Sequence, residues 1–444
     1  MMASICVRDS TKTILSVKKR MTIAELFESR KNDPRWNTSY PLTPSDWVDY
    51  RVQGSLSFKN DARMSFYIHI PFCKQLCSFC EYTRMLCPDE EAQRAYLLAV
   101  SHDIKQFKQC YTDFTLLGFD IGGGTPTALS EDNFSLLMKI YQDSLAGLNL
   151  SDDYEPSIEG TFNTLSERKL EEMSKSGFHR LSLGVQSSCG SVLRQHHRGQ
   201  ASEDMMSSWL TKAWGMGIRK VNLDFMYGLQ GQNEDTIGQD LELIKYLAPQ
   251  QVTLYELRTN MISNKFVCSK IELFEQYSQF YDGLTAMGYQ GRIGQNTFSL
   301  YPDDHGVSSY LRERMLNGSS YKGFGLSAQS MSKVGLSYNL GKSQVPSKFV
   351  VDKQECYPEE YTYLLPQQEL ASKYLAISAY HGSFSLPRLM DFGISREVIQ
   401  RALDFCISEG LMKEGDDNRM YVTHKGFKYY GALFSLFYAP DYEM

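Results

Sequence analysis

Three cysteines stand close together in the segment YIHIPFCKQLCSFC, at Cys73, Cys77 and Cys80. Their spacing is C-x3-C-x2-C. Three thiolates are one ligand short of a closed tetrahedral zinc site, and one short of binding all four irons of a [4Fe–4S] cluster. A cluster on these cysteines would have one iron without a protein ligand, and chemistry can take place there. Two other interpretations are a zinc site with a distant fourth ligand and three unrelated buried cysteines.

A glycine-rich motif, GGGTPT at residues 122–127, follows the next apolar segment of the chain. Glycines let the backbone approach a ligand closely, and their N–H groups can meet a carboxylate or a ribose. Taken alone, the motif is compatible with a simple tight turn. Its position after a predicted strand, one unit beyond the cysteines, favours a ligand site.

Polar residues stand near the ends of three further apolar segments, at Glu159, Gln186 and Asp224. A polar side chain that points inward there costs desolvation free energy unless it meets a partner. A structural hydrogen bond explains each of them singly. Because several surround one predicted opening, a shared ligand is the sharper hypothesis.

Two arginines are candidates for binding a carboxylate or the substrate, Arg198 and Arg258. The adjacent His196 and His197 cannot face one point on regular structure, so exposure or capping of the core is favoured over a metal site. Arg258 and Glu256 alternate on a predicted strand and can face the same side. A salt bridge to each other or to a neighbour is the alternative to substrate contact.

These residues need a framework of short apolar strands alternating with amphipathic helices. Six strands are predicted, at residues 65–70, 116–122, 154–160, 180–185, 220–228 and 251–258. Six β-α units in a row predict an α/β fold with a parallel sheet, curled into an open or partial barrel. Ligands sit at the carboxyl ends of the strands in such folds, where the residues above fall.

Three helices are predicted from capping residues and from apolar residues at helical spacing. One is predicted at residues 22–31, and another is predicted to open with a capping box of Thr164 and Glu167 and to end at Gly177. A third begins near Ser202, and its large apolar residues are assigned to core packing: Met205, Trp209 and Trp214.

Four parts of the chain are predicted. Residues 1–62 form an irregular N-terminal extension, 63–300 the catalytic core, 301–360 a connection that completes the core, and 361–444 a small helical domain with a terminal wing. The tail at 419–438 reads as a strand, a turn near Lys425 and Gly426, and a helix.

The composition is that of a globular protein, with 42% hydrophobic and 22% charged residues among 444. A net charge of -6 argues against a general nucleic-acid or membrane-surface binder. No apolar run is long enough to span a bilayer, and the N-terminus does not resemble a secretory signal. Seven of the ten cysteines are scattered singly, so a reducing cytoplasm is expected rather than a disulfide framework.

Read together, the cysteine block, GGGTPT, SIEG, RLSLGVQS and NLDFMYGL resemble the radical S-adenosylmethionine (SAM) superfamily, and within it the branch of the oxygen-independent coproporphyrinogen III oxidases. The resemblance implies a partial (β/α)6 barrel with a [4Fe–4S] cluster on Cys73, Cys77 and Cys80. It also implies that SAM binds the fourth iron and is cleaved by one electron to methionine and a 5′-deoxyadenosyl radical.

The resemblance also assigns roles by position. Contacts to the cluster-bound SAM fall on Tyr67, Phe79, Gly123 and Glu159. Positions that hold SAM groups, including a second SAM, fall on Gly124, Thr125, Gln186, Arg198 and Asp224. The residues expected to take part in catalysis are Tyr67, Glu159 and Arg258.

The chain also departs from the oxidases. The N-terminal PRWNTSYP resembles their PRYTSYP segment, and the tail with THKG resembles their C-terminal domain. After the third cysteine the oxidases read CGCNK, whereas this chain reads CEYTR, with Glu81 and Tyr82. In the wall beside the second SAM, Arg258 and Gln329 replace small or apolar residues. These changes alter what the site can bind.

The expected activity is therefore radical SAM chemistry with two SAM molecules, either oxidation or methyl(ene) transfer, on a large conjugated or tetrapyrrole-like small molecule. Flavodoxin or ferredoxin is the expected electron donor. Two alternatives are kept, a true coproporphyrinogen III dehydrogenase and a haem-binding carrier that retains the fold.

Overall fold

The protein is described from a computed structural model that covers residues 21–33, 36, 40–199, 201–258 and 268–438. Five residues of the PRWNTSYP segment, at 34–35 and 37–39, lie outside the described residues. None of the helices within the described ranges is both long and apolar enough to cross a membrane.

The helices and strands alternate along most of the chain. The α-helices are α1 (Ile23–Arg30), α2 (Glu90–Cys110), α3 (Glu131–Leu145), α4 (Glu167–Lys175), α5 (Gly190–Gln195), α6 (Glu203–Gly215), α7 (Glu234–Leu247), α8 (Lys270–Ala286), α9 (Ser309–Met315), α10 (Pro346–Val351), α11 (Gln367–Ser378), α12 (Leu386–Asp391), α13 (Arg396–Ser408), α14 (His424–Phe427) and α15 (Tyr430–Ser435). Short 3-10 helices cover Pro44–Tyr50, Pro126–Ala128, Phe162–Thr164 and Ala379–His381.

The strands are β1 (Arg51–Val52), β2 (Arg63–Ile70), β3 (Phe72–Cys73), β4 (Met85–Leu86), β5 (Thr115–Gly123), β6 (Asn149–Leu150), β7 (Ser157–Gly160), β8 (Arg180–Gln186), β9 (Lys220–Tyr227), β10 (Gln251–Glu256), β11 (Thr297–Ser299), β12 (Ser320–Phe324), β13 (Gln329–Ser332), β14 (Gly335–Asn339), β15 (Glu359–Leu364), β16 (Ser383–Ser385), β17 (Met412–Glu414) and β18 (Arg419–Val422).

One large sheet organises the molecule, in the order β1-β15-β14-β13-β12-β2-β5-β7-β8-β9-β10-β11. The strands from β12 to β10 are parallel, and the remaining pairs on both sides are antiparallel. All six predicted strands are confirmed, and the described sheet runs from one edge to the other without closing. The α/β prediction is therefore confirmed, with β12 added as a further parallel strand.

The register aligns the residues that end the parallel strands. Ile70 at the end of β2 pairs with Gly123 of β5, and Gly184 of β8 pairs with Asp224 of β9. Of the strands between them, β5 and β8 are buried on both faces, as is typical of parallel sheets covered by helices. The carboxyl ends of β2, β5, β7, β8 and β9 therefore meet at one edge of the sheet.

Two details of the predicted helices are wrong. The α4 helix is capped by Ser166, whose side chain accepts a hydrogen bond from the Lys169 backbone N–H, while the predicted cap Thr164 bonds with Thr127 instead. Its end near Gly177 is correct, since that residue adopts φ +85° just after the helix.

Of the predicted apolar stripe of α6, only Trp209 packs against the core, where it is partly buried. Met205 and Trp214 are exposed, and the Trp214 indole donates to the Gln250 side chain. The buried face consists instead of Met206, Leu210 and Ala213. Both stripes have helical spacing, and packing into the main core buries the second.

The C-terminal part contains helices α11 to α15 and a three-stranded antiparallel sheet in the order β16-β18-β17. The predicted strand of the tail is β18, the predicted turn is the short helix α14, and α15 follows. The last described residues, Phe434, Phe437 and Tyr438, are buried in the main core. The tail is therefore integrated with the rest of the molecule.

Candidate functional site

The predicted site residues converge on one cavity of about 1080 Å³ at the carboxyl end of the parallel sheet. Its lining includes Cys73, Cys77, Phe79, Cys80, Gly123, Gly124, Thr125, Glu159, Gln186, Arg198, Asp224, Arg258 and Gln329. Of the predicted set only Tyr67 does not line it. Tyr67 is half-buried, stacks on Tyr310 at 5.7 Å between ring centroids, and has its hydroxyl 3.4 Å from His69 Nδ1.

Cys73 ends the short strand β3, which follows β2 directly, and Cys77 and Cys80 lie on the loop between β3 and β4. Cys73 and Cys77 are buried, Cys80 is half-buried, and all three are free thiols. The loop is held by the Arg84 guanidinium, which donates to the Cys77 carbonyl at 2.7 Å, and by the Ser78 N–H, which donates to the His196 carbonyl at 3.1 Å.

Two neighbours donate hydrogen bonds to the thiol sulfurs. The Thr125 hydroxyl lies 3.6 Å from Cys73 Sγ, and Arg198 Nη1 lies 3.6 Å from Cys77 Sγ. Burial raises the pKa of the Cys73 thiol to about 11, while the Thr125 hydrogen bond and the Arg84 charge lower it. Donors of this kind stabilise thiolates, which are the form that binds iron.

No three His, Cys, Asp or Glu side chains in the described part of the chain stand as a ready-made metal site. The donor set nevertheless fits an iron–sulfur cluster, because three soft thiol ligands share one cavity and interact electrostatically with one another. Positive and neutral donors surround them, and the rest of the cavity opens beside them.

The glycine motif needs its glycines because other groups approach the backbone closely. A Cβ on Gly122 would lie 2.5–2.6 Å from the Glu159 carboxylate, and one on Gly124 would lie 2.8 Å from the Pro71 carbonyl carbon. Gly123 adopts φ +116° and its N–H donates to Glu159 Oε2 at 3.0 Å. The turn and Glu159 therefore form one unit beside the cysteines.

Three carboxyl groups face this end of the cavity. Burial, and then the charge of Glu159, raise the pKa of Asp224 to about 7, although Asn222 and Ser182 donate to it at 2.7 and 3.2 Å. Desolvation likewise raises the pKa of Glu159, although its side chain is accessible from the cavity and the hydrogen bond from the Gly123 N–H lowers the pKa. Asp120 also has its pKa raised to about 7 by burial, and one of its oxygens has no hydrogen-bond partner. The site therefore favours a cationic ligand group.

Asp120 was not predicted as a site residue. It stands in the middle of the β5 segment LLGFDIG, and a charged residue within an apolar strand was the available signal.

Gln186 ends β8 with φ +74°, an unusual conformation for a residue other than glycine. The turn that follows is fixed by Asp240 on α7, which is buried and accepts hydrogen bonds from the hydroxyls of Ser187 at 3.1 Å and Ser188 at 2.7 Å. Arg198 donates to the Gly184 carbonyl beside it. Asp240 is remote from Gln186 in sequence, so no local pattern pointed to it.

His196 is buried rather than exposed. Its Nε2 accepts a hydrogen bond from the Gln230 backbone N–H at 3.2 Å, and its Nδ1 lies 3.2 Å from the Ser78 hydroxyl. The Phe79 ring packs against it at 5.8 Å. This is the predicted core role and not a metal site.

Two of the four residues that depart from the oxidases, Glu81 and Arg258, meet in space. Arg258 Nη1 lies 3.4 Å from Glu81 Oε1, and the Arg258 guanidinium lies 4.8 Å from the centre of the Tyr380 ring. Glu256 instead accepts hydrogen bonds from the hydroxyls of Tyr430 at 3.1 Å and Tyr227 at 3.4 Å. Arg258 therefore forms the salt bridge that was the alternative interpretation, with the cysteine loop as its partner.

Gln329 belongs to a polar group on another wall of the cavity. Its Nε2 donates to the Tyr338 hydroxyl at 2.8 Å, and its Oε1 accepts from Arg314 Nη2 at 3.1 Å and from the Tyr321 hydroxyl. Arg314 and Lys373, which also line the cavity, were not predicted.

Comparison with known proteins shows similarity to the radical SAM superfamily. The family model of the radical SAM superfamily matches residues 67–244, which include the cysteines, the glycine motif and Asp224. This chain therefore carries a radical SAM domain, and that domain brings a [4Fe–4S] cluster and SAM as its cofactors.

Within that class, the chain is homologous to the oxygen-independent coproporphyrinogen III oxidases. It is 28% identical over 336 residues to the anaerobic coproporphyrinogen III oxidase 1 of Cereibacter sphaeroides, covering 70% of this chain and 72% of that one. It is 24% identical over 367 residues to the haem chaperone of Bacillus subtilis, covering 82% and 96%. The structure of coproporphyrinogen III oxidase from Escherichia coli, a radical SAM enzyme, superposes with a TM-score of 0.68 at 23% identity, over 85% of this chain and 90% of that chain.

Proposed function

We propose that this radical SAM enzyme holds its cluster on Cys73, Cys77 and Cys80 and binds two SAM molecules in the shared cavity. When bound, the cluster supplies the electron that splits SAM into methionine and a 5′-deoxyadenosyl radical. The observation that carries the proposal is the single cavity, which joins the cysteine loop, the glycine turn and the three carboxyl groups.

The chain's own groups would bind and orient SAM. The ammonium group of SAM would pair with the Glu159 carboxylate, which the hydrogen bond from the Gly123 N–H already orients. Asp224 is a further acceptor for an ammonium or ribose group, and the Arg198 fork suits a carboxylate. Phe79, which lines the cavity, would limit the movement of the ligands, and buried walls would keep water from the radical.

The size of the cavity supports the binding of a second SAM and a large substrate. The cavity volume of about 1080 Å³ exceeds the range of about 300–1,000 Å³ that is usual for pockets holding one drug-sized ligand. We propose oxidation or methyl(ene) transfer on a large conjugated or tetrapyrrole-like molecule, with an electron donor such as flavodoxin or ferredoxin. Arg258 is proposed to restrict which substrates fit.

The test is anaerobic reconstitution with iron and sulfide, followed by dithionite and SAM. We expect wild type to form 5′-deoxyadenosine and Cys77→Ala to form none, while Cys110→Ala, which alters an exposed thiol on α2, behaves as wild type. The absence of 5′-deoxyadenosine from wild type, or equal activity in Cys77→Ala, would refute the enzyme proposal.

A haem carrier is the second candidate, because the similarity to the Bacillus subtilis haem chaperone extends over 96% of that protein. Haem titration separates the two functions, since tight haem binding without SAM cleavage would favour the carrier. Incubation with coproporphyrinogen III, followed by a search for the divinyl product, tests the dehydrogenase alternative.

A further inference from the structure

The wall of the cavity that carries Gln329 is cationic, in contrast to the acidic end near the glycine turn. Arg314 comes from α9 and Lys373 from α11, and Lys342 stands at the exposed rim after β14. These three residues are far apart in sequence. The fold brings their charges to one side of one space.

Arg314 has only neutral partners. Its Nη1 lies 3.4 Å from the Tyr310 hydroxyl, its Nη2 donates to the Gln329 side chain at 3.1 Å, and its guanidinium lies over the Tyr321 ring at 4.8 Å. Its Nε is buried and has no hydrogen-bond partner. A guanidinium that served packing alone would be expected to use this donor, because an unsatisfied buried donor costs free energy.

Lys373 is buried, and its ammonium group donates to the Tyr40 carbonyl at 2.8 Å. One turn earlier on α11, Glu369 Oε2 accepts hydrogen bonds from the Tyr40 hydroxyl and the Trp47 indole, both at 2.8 Å. Burial, and then the charges of Arg314, Lys342 and Arg258, lower the pKa of Lys373 to about 7.

Within the described residues, no carboxylate oxygen lies within salt-bridge distance of the side-chain nitrogens of Arg314, Lys342 or Lys373, although the Lys342 backbone N–H donates to Glu360 Oε2 at 2.8 Å. The charges of Glu81 and Glu360 act on Lys342. Arg314 and Lys373 have no paired carboxylate in the described part of the chain, so their charges repel each other and burial increases the cost. An anion that entered the cavity would relieve both effects and would satisfy the free Arg314 donor.

We propose that Arg314 and Lys373, with Lys342 at the rim, form a subsite for an anionic group of the substrate, a carboxylate or a phosphate. This inference rests on the proposed function, since it concerns the substrate that shares the cavity with SAM. It assigns the acidic end to the SAM ammonium group, and it assigns the charges of Arg314, Lys342 and Lys373 to the substrate rather than to the carboxylate of the second SAM. It also excludes a neutral hydrocarbon as the substrate.

The experiment measures anion binding directly. Reconstituted holoprotein with SAM is titrated calorimetrically with tricarballylate, which presents carboxylates, and in a second arm with pyrophosphate. We expect saturable binding of at least one probe by wild type, weakened about tenfold or more in Arg314→Gln and in Lys373→Gln. Arg314→Lys keeps the charge and should recover part of the affinity. Lys413→Gln, on the exposed strand β17, should bind as wild type.

The absorption of the cluster and the midpoint of unfolding verify the fold of each variant. Arg314→Gln and Lys373→Gln are independent tests, so one remains if the other misfolds. Equal affinity in wild type and both Gln variants, or no saturable binding by wild type, would overturn the subsite. Formation of 5′-deoxyadenosine in the same samples separates the two proposals. SAM cleavage without anion binding refutes only the subsite, and anion binding without SAM cleavage refutes only the proposed function.

Discussion

At the scale of single residues, the groups that touch the proposed ligands depend on others that do not. Gln186 keeps its positive φ beside Arg198 because the following turn is bonded to Asp240. Burial raises the pKa of Asp240 to about 6, although its hydrogen bonds lower it. It is therefore mostly ionised at neutral pH and is a strong acceptor for the turn.

Substitution Asp240→Asn should loosen this turn. An amide cannot accept all the hydrogen bonds of the carboxylate, so we expect a loss of about 1–3 kcal/mol in the free energy of unfolding. If the turn positions Gln186, the KM for SAM should also rise, with a smaller change in kcat. Urea unfolding and 5′-deoxyadenosine kinetics measure the two effects. Glu242→Gln, an exposed change on the same helix, is the control, and a stability loss without any change in KM would reduce Asp240 to a structural role.

At the scale of elements, the sequence predicted the parallel strands of the sheet better than the residues that line the cavity walls. Parallel strands buried on both faces are continuous apolar runs, so β2, β5 and β8 were recognisable. The short strands β12 to β15 carry mixed polarity, and their place in the sheet depends on long-range pairing. Arg314 and Lys373 were missed for the same reason, since no local pattern indicates that α9 and α11 face one cavity.

The Glu81–Arg258 pair links the cysteine loop to the end of β10, and its two side chains are only 26% and 18% exposed. We expect a double-mutant cycle with Glu81→Gln and Arg258→Gln to give a coupling energy of about 1 kcal/mol, because partial burial weakens screening by water. Urea unfolding of the four proteins measures it. The exposed pair of Lys139 and Asp143 on α3 is the control and should couple more weakly. Equal coupling energies in both pairs would show that partial burial does not strengthen the Glu81–Arg258 pair.

At the scale of the whole molecule, the cavity is built from most of the chain. The N-terminal segment contributes Tyr40 and Trp47, and the C-terminal part contributes Tyr380 and Tyr430. The family motifs cover only the cluster side, at residues 67–244. The division into four parts therefore stays a prediction about the sequence, because the parts share one site and one core.

The carboxyl groups of the site should also affect the stability of the whole protein. The pKa of Asp224 is about 7 in the folded state, compared with about 3.9 in an unfolded chain. Between these values the folded protein keeps a proton that the unfolded chain has lost, so rising pH favours unfolding until about pH 7.

In protein without SAM, Asp224→Asn should remove this part of the pH dependence. From pH 4 to 7, the free energy of unfolding of wild type relative to the variant should fall by about 1–2 kcal/mol. This range is smaller than the full pKa difference would give, because water in the cavity screens the carboxylate. Chemical denaturation at several pH values measures this difference, with the exposed change Asp132→Asn as the control. A difference that stayed constant with pH would show that Asp224 is already ionised in the folded protein.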